Sequence, residues 1–169
     1  MVSKRMVFLP AIIVVLALDQ VGKQHVVQTL GLGERVPLLG DLLALTHVPS
    51  AGGALGVFRD WLPGAQLIGF ALLSTAATLL VLSFYRRLAP GEQGAATALG
   101  AILGGIASNG IDRLRYGSGL DFLHLGSTSA DALPDFNLAD VAIVLGVVTL
   151  IVELLATEMA ARASERPRS

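Results

Sequence analysis

Four runs of apolar residues organise this chain: Met6–Gly22, Gln66–Phe84, Ala95–Ile111 and Ala139–Leu155. A helix that crosses hydrocarbon needs about 20 mostly apolar residues, with about 17 as the lower limit. The pattern therefore predicts an all-α membrane protein with four transmembrane helices, in one domain spanning residues 1–169. Lys4 and Arg5 precede the first run, as basic residues precede a secretory signal. No small-x-small cleavage site closes that run, however, and it continues into Asp19-Gln20-Val21-Gly22-Lys23. It reads as an uncleaved first span.

Two longer polar segments, about 23–65 and 112–138, separate the first span from the second and the third from the fourth. In the former, Leu30-Gly31-Leu32-Gly33 and Leu39-Gly40-Asp41 read as turns. Leu42–Val48 suits a strand or a short interfacial helix. Gly52-Gly53-Ala54-Leu55-Gly56 resists helix formation, because each glycine costs about 1 kcal/mol against alanine there, and it suits a tight turn. Trp61-Leu62-Pro63 reads as an interfacial anchor ahead of the second span. A polar tail of about 157–169 follows the fourth, with disorder expected after Ala163.

Charge orients these spans. Lys4, Arg5, Arg86, Arg87, Arg162, Arg166 and Arg168 lie in three short segments on one side, whereas Lys23, Arg35, Arg59, Arg113 and Arg115 are spread through the two long loops. The positive-inside rule places both termini in the cytoplasm and the long loops outside. Asp19, Asp112, Asp121 and Asp140 then all fall near the outer face. Composition agrees, with 53% hydrophobic residues and a mean hydropathy of +0.69. The absence of cysteine excludes thiol catalysis, disulfides and cysteine-ligated metal. A net charge of −1 without a basic stripe argues against nucleic acid as a partner.

Asp121 and Asp140 lie at the edges of apolar segments, 19 residues apart. A carboxylate beside hydrocarbon costs free energy, about 2.5–3.5 kcal/mol at a helix centre and less near the interface. If the third and fourth spans pack together, the two carboxyls meet at the membrane surface. Two neighbouring carboxyls share a proton, so one serves as general base on a water while the other holds a proton for the scissile amide. Spacing alone leaves alternatives open. Asn137-x-x-Asp140 also has the spacing of a helix cap with an acidic N3 residue, and Asp121 also reads as an ordinary loop carboxylate. Asp19 and Lys23, at i and i+4, read as a helical ion pair or as part of the same outer site. Asn109 can cap a helix end or orient a carboxylate, and Arg113 can hold Asp112 or a lipid phosphate. Glu153 reads as reaching for the interface or pairing with a neighbour. His25, His47 and His124 show no zinc-ligand spacing, so no metal and no cofactor is expected.

Taken together, these strings resemble the lipoprotein signal peptidases, or type II signal peptidases, nearly end to end. Leu18-Asp19-Gln20-x-x-Lys23, Ser50-x-Gly52-Gly53-Ala54-Leu55-Gly56, Asn109-x-x-Asp112-Arg113, Leu120-Asp121-Phe122 and Phe136-Asn137-x-Ala139-Asp140 are similar to that family's motifs in their order. The resemblance implies a membrane aspartic endopeptidase that cleaves prolipoproteins before a diacylglyceryl-modified cysteine. Asp121 and Asp140 would be its catalytic pair. Asn109, Arg113, Asn137, Asp112, Asp19, Lys23, Ser50 and Gly52 would support the dyad or the substrate. It further implies a small extracytoplasmic β-cradle with a short helix within Gly31–Trp61. Implied partners are lipidated precursors and membrane lipids, with the protein a monomer in the bacterial cell (inner) membrane. This chain departs from the family pattern in having Ser50 for asparagine, Gly53 for alanine, Leu55 for phenylalanine, Ser108 for glycine, and Gly119 where a β-branched residue is common. Those departures bear on substrate and inhibitor binding. Ser50 and Gly53 motivate an alternative, an inactive relative that binds precursors without cutting them. A small proton-coupled membrane subunit using Asp140 is a further one.

Overall fold

The computed structural model describes residues 3–50, 61–126 and 135–164. Four helices, α1 (Arg5–Thr29), α2 (Pro63–Arg87), α3 (Gln93–Tyr116) and α4 (Leu138–Ser164), are joined by three strands, β1 (Arg35–Leu39), β2 (Leu43–Ser50) and β3 (Gly119–Leu125). All four helices are long and apolar enough to cross a membrane. Each outruns the apolar run that predicts it; at the outer ends of α1 and α3 the added turns carry Lys23 and Asp112, which tertiary contacts bury. Lys23 and Asp112, placed in outer loops by the sequence pattern, belong to α1 and α3. Helix α4 takes in the start of the polar tail and runs through Ser164, with a Glu158–Arg162 pair at i, i+4; residues 165–169 lie outside the described residues. Leu42–Val48, open between strand and helix, supplies most of β2. The glycine string at 52–56, with Gly52, Gly53 and Leu55, lies outside the described residues. So does most of the stretch between β2 and α2, where the short helix is expected.

Helix α3 is the axis of the bundle, with α1 parallel to it on one side and α4 antiparallel on the other. Glycine makes the close approach possible. A Cβ added at Gly104 would lie 2.8 Å from the Ile12 carbonyl oxygen, and one at Gly105 would lie 2.6 Å from that of Ala139. Small residues at crossings let backbones meet where lipid, being as apolar as leucine, provides no hydrophobic drive for association. Helix α2 is more peripheral, with 6% of its spanning window buried against 56% for α3. It is fastened at the end away from the sheet. There Lys4 Nζ donates to the Tyr85 and Leu88 carbonyls at 3.1 and 2.6 Å, and Phe8 stacks on Tyr85.

The strands form an antiparallel sheet in the order β1-β2-β3, over the ends where α1 and α3 finish and α4 begins. Phe122 of β3 packs with Val26 of α1 and with Leu30, the residue that follows α1, in a small core beneath it. The chain then hangs onto β3 a second time. Leu123 and Phe136 exchange backbone hydrogen bonds of 2.8 and 2.9 Å, which delivers residues 136–140 beside Asp121.

Candidate active site

The polar residues singled out in the sequence gather under the sheet. Asp121 projects from β3 and is buried, while Asp140 sits in the first turn of α4, half-buried. Asn137 joins them. Its Nδ2 donates to Asp121 Oδ1 at 2.9 Å and to the Leu120 carbonyl at 3.2 Å, and its Oδ1 accepts the Asp140 backbone N–H at 2.9 Å. Asp140 Oδ2 accepts in turn from the Asn137 backbone N–H at 3.3 Å. The spacing left two readings open, a helix cap or a carboxylate pair; the geometry contains both, as a reciprocal capping box whose N3 acid faces Asp121.

A second asparagine holds the other oxygen of Asp140. Asn109 Nδ2 donates to Asp140 Oδ1 at 2.8 Å, and its own Oδ1 accepts from Lys23 Nζ at 3.1 Å. The Lys23 ammonium is also 2.5 Å from both Asp19 Oδ2 and Asp112 Oδ2. Asp19 and Lys23 therefore form the i, i+4 pair and join the site as well. Asp19 reaches further, accepting the Ala139 backbone N–H at 2.9 Å and the Ser108 hydroxyl at 2.6 Å. A side chain of α1 thus satisfies an otherwise unpaired donor in the first turn of α4.

Asp112 turns to Lys23 and to Gln20 Nε2, the latter at 2.8 Å. Arg113, which the sequence offered as a holder of Asp112, instead donates to the Asn109 carbonyl at 3.0 Å and lies over the Phe70 ring, 3.4 Å from its centroid. Ser50, at the end of β2, donates its hydroxyl to Asp121. Gly52 lies outside the described residues. Sequence reasoning passed over Phe70, which carries no chemical signal, and gave no separate role to Gln20, although it stands between Leu18-Asp19 and Lys23 in a quoted string.

Burial pushes the Asp121 carboxyl up to about 6. The Ser50 hydrogen bond opposes that rise and the neighbouring Asp140 charge adds to it, while Asn137 and Lys23 oppose it. Asp121 thus holds its proton into a range where an ordinary aspartate has lost it. Among the described residues no group of three His, Asp or Glu is arranged to hold a metal ion. The site offers two carboxyls in unlike surroundings, an arrangement suited to acid–base chemistry on a water and an amide.

Residues 11–156 match the family model for signal peptidase II. The chain is 36% identical over 144 residues to the lipoprotein signal peptidase of Desulforapulum autotrophicum, covering 84% of this chain and 87% of that protein. It is 35% identical over 150 residues to that of Moorella thermoacetica, covering 89% and 93%. The fold matches a solved bacterial membrane enzyme with a TM-score of 0.79 at 21% identity, over 96% of this chain and 93% of that one. With the family model spanning most of its length and curated relatives more than a third identical to it over the aligned residues, the chain belongs to the signal peptidase II family.

Proposed function

We propose that this peptidase is of the aspartic type, with Asp121 and Asp140 as its catalytic pair, and that it removes signal peptides from prolipoproteins before a diacylglyceryl-modified cysteine. The observation that carries the reading is Asn137 bonded to both aspartates while each sits in a different environment. Asp140 accepts two hydrogen bonds at a helix N-terminus, where the dipole favours negative charge. It is the base. Asp121, which burial pushes up to about 6 and which stands on a strand with no helix N-terminus behind it, carries the proton.

The base takes a proton from a water as the water oxygen adds to the scissile carbonyl, and Asp121 gives its proton to the carbonyl oxygen. On collapse, Asp140 returns its proton to the departing amide nitrogen. The gem-diol hydroxyl gives one back to Asp121, so the dyad ends as it began. Asn109 and Asn137 hold the carboxylates in register, and Lys23, Asp19 and Asp112 brace Asn109 and the start of α4. Ser50 and Arg113 belong to the substrate side. Lys4, Arg86 and Arg87 lie at the end of the bundle opposite the sheet. By the positive-inside rule that end is cytoplasmic, and the dyad opens at the outer face of the cell membrane.

The test is cleavage of a diacylglyceryl-modified prolipoprotein by purified protein in detergent. Wild type should cut; Asp121→Asn and Asp140→Asn should each lose at least ~100-fold, since general acid–base steps carry about 10²–10⁴-fold. Full activity in either variant would refute the dyad. No cleavage by folded wild type would favour an inactive precursor-binding relative.

A further inference from the structure

His124 is a buried side chain that the peptidase reading leaves without a part. It stands on β3 three residues after Asp121 and is 5% exposed. Its Nδ1 lies 2.8 Å from Asp135 Oδ1 and 3.2 Å from Nη2 of Arg35 on β1. A bare nitrogen that close to a carboxylate would set lone pair against lone pair, so Nδ1 bears a hydrogen and donates it to Asp135. The other ring nitrogen, Nε2, is buried with no hydrogen-bond partner among the described residues. A leucine filling the same space would bury no such orphan, which is costly. What the imidazole adds is the bond to Asp135. That residue immediately precedes the bridge of Phe136 to Leu123, and in the antiparallel sense it falls opposite His124. A slip of one residue in such pairing turns each side chain to the other face, and a single bridged pair holds register loosely. Two residues beyond Asp135 comes Asn137, which meets both Asp121 and Asp140.

We propose that the His124–Asp135 hydrogen bond is a register pin for the peptidase reaction: it fixes residues 135–137 along β3 and so presents Asn137 to the Asp121–Asp140 pair. His124 and Asp135 are positioning residues that act through Asn137. The groups acting on Asp121 itself are Ser50 of β2, Asp140 and Asn137 at the start of α4, and Lys23 of α1. Arg113 of α3 adds a charge facing the dyad, and Arg35 is the further charge beside His124. Without the pin, the segment is free to ride along β3, and the Asn137 amide leaves the Asp121 carboxyl. The inference rests on the dyad reading, and its test separates the two.

The experiment measures kcat, KM and the pH dependence of kcat/KM on a lipidated precursor. The proteins are wild type, Asp135→Ala, Asp135→Asn, His124→Leu, Asn137→Ala, the Asp135→Ala/Asn137→Ala double variant and Asp121→Asn. Asp135→Ala and His124→Leu should each lose ~10- to 100-fold in kcat with KM little changed, up to the scale of an ångström's misplacement in a site. Their alkaline limb should move to higher pH, since the Asn137 hydrogen bond favours ionised Asp121. Asp135→Asn keeps an acceptor for Nδ1 and should recover most of the rate. The double variant should be no worse than Asn137→Ala. If His124→Leu fails to fold, Asp135→Ala, at a half-buried position, carries the test. Wild-type kcat and pH limb in Asp135→Ala would overturn the proposal. So would an Asp135→Asn as poor as Asp135→Ala, or losses that multiply with that of Asn137→Ala. If Asp121→Asn still cuts, the dyad reading falls and takes the pin with it; if Asp121→Asn is inactive while Asp135→Ala matches wild type, the pin alone falls.

Discussion

Asn137 shows how much one side chain carries here. Its amide meets Asp121, the Leu120 carbonyl and the Asp140 N–H at once. An ionised aspartate there would lack the donors, and alanine would lack donor and acceptor alike. Lys23 is similar, with three polar partners for three ammonium hydrogens, all buried. Removing one partner of such a group costs about 3–5 kcal/mol, because a charge is left stranded. Ser50 yields a pH prediction. Its hydroxyl stabilises ionised Asp121, so Ser50→Ala should raise that carboxyl above about 6. With Asp121 acting as the acid, the alkaline limb of kcat/KM should then move to higher pH, a profile that reports the free enzyme. An unmoved or lowered limb would reassign the proton. The residue types were legible from the sequence because carboxylates, amides and a lysine are rare at the edges of apolar runs. The direction in which each amide points was not, since it depends on partners up to 120 positions away, as between Asp19 and Ala139.

The elements carry the site by packing closely. Gly104 against Ile12 sets how near α1 comes to α3, and hence whether Lys23 reaches Asn109. Gly104→Val should therefore lower the thermal stability of the detergent-solubilised protein by about 1–3 kcal/mol, the usual cost of overpacking. Gly64→Ala, where a Cβ meets nothing within 4 Å, should not. Equal melting of both variants would argue against a tight α1–α3 crossing. At this scale the helices were readable from apolar length, but their ends were not, because hydropathy stops at the first polar residue and α1 continues seven residues past Gly22 to Thr29. Strand β3 was invisible to the sequence pattern. Leu120-Asp121-Phe122 is too short to alternate clearly, and its partner β2 lies about 70 residues earlier in the chain.

Across the whole molecule, Lys4, Arg86 and Arg87 stand at the end of the bundle opposite the sheet, which turns the topology into a labelling experiment. The chain has no cysteine, so single cysteines report cleanly. Leu39→Cys, on the exposed hairpin, should react with an impermeant maleimide in intact spheroplasts. Ala89→Cys, between α2 and α3, should react only after permeabilisation. The reverse pattern would invert the molecule in the membrane.

The sequence by itself determined the medium, the number of spans, the family and the residues to watch, because each of these is written in local composition or in short ordered strings. Tertiary structure alone decided that a capping box and a carboxylate pair are one object, that Asp19 of α1 caps α4, and that Arg113 leaves Asp112 for Phe70. The physical reason is that hydropathy and motif spacing act along the chain. Hydrogen-bond partnership and excluded volume act between segments, and nothing in the local sequence around Arg113 records that its guanidinium meets Phe70 rather than Asp112.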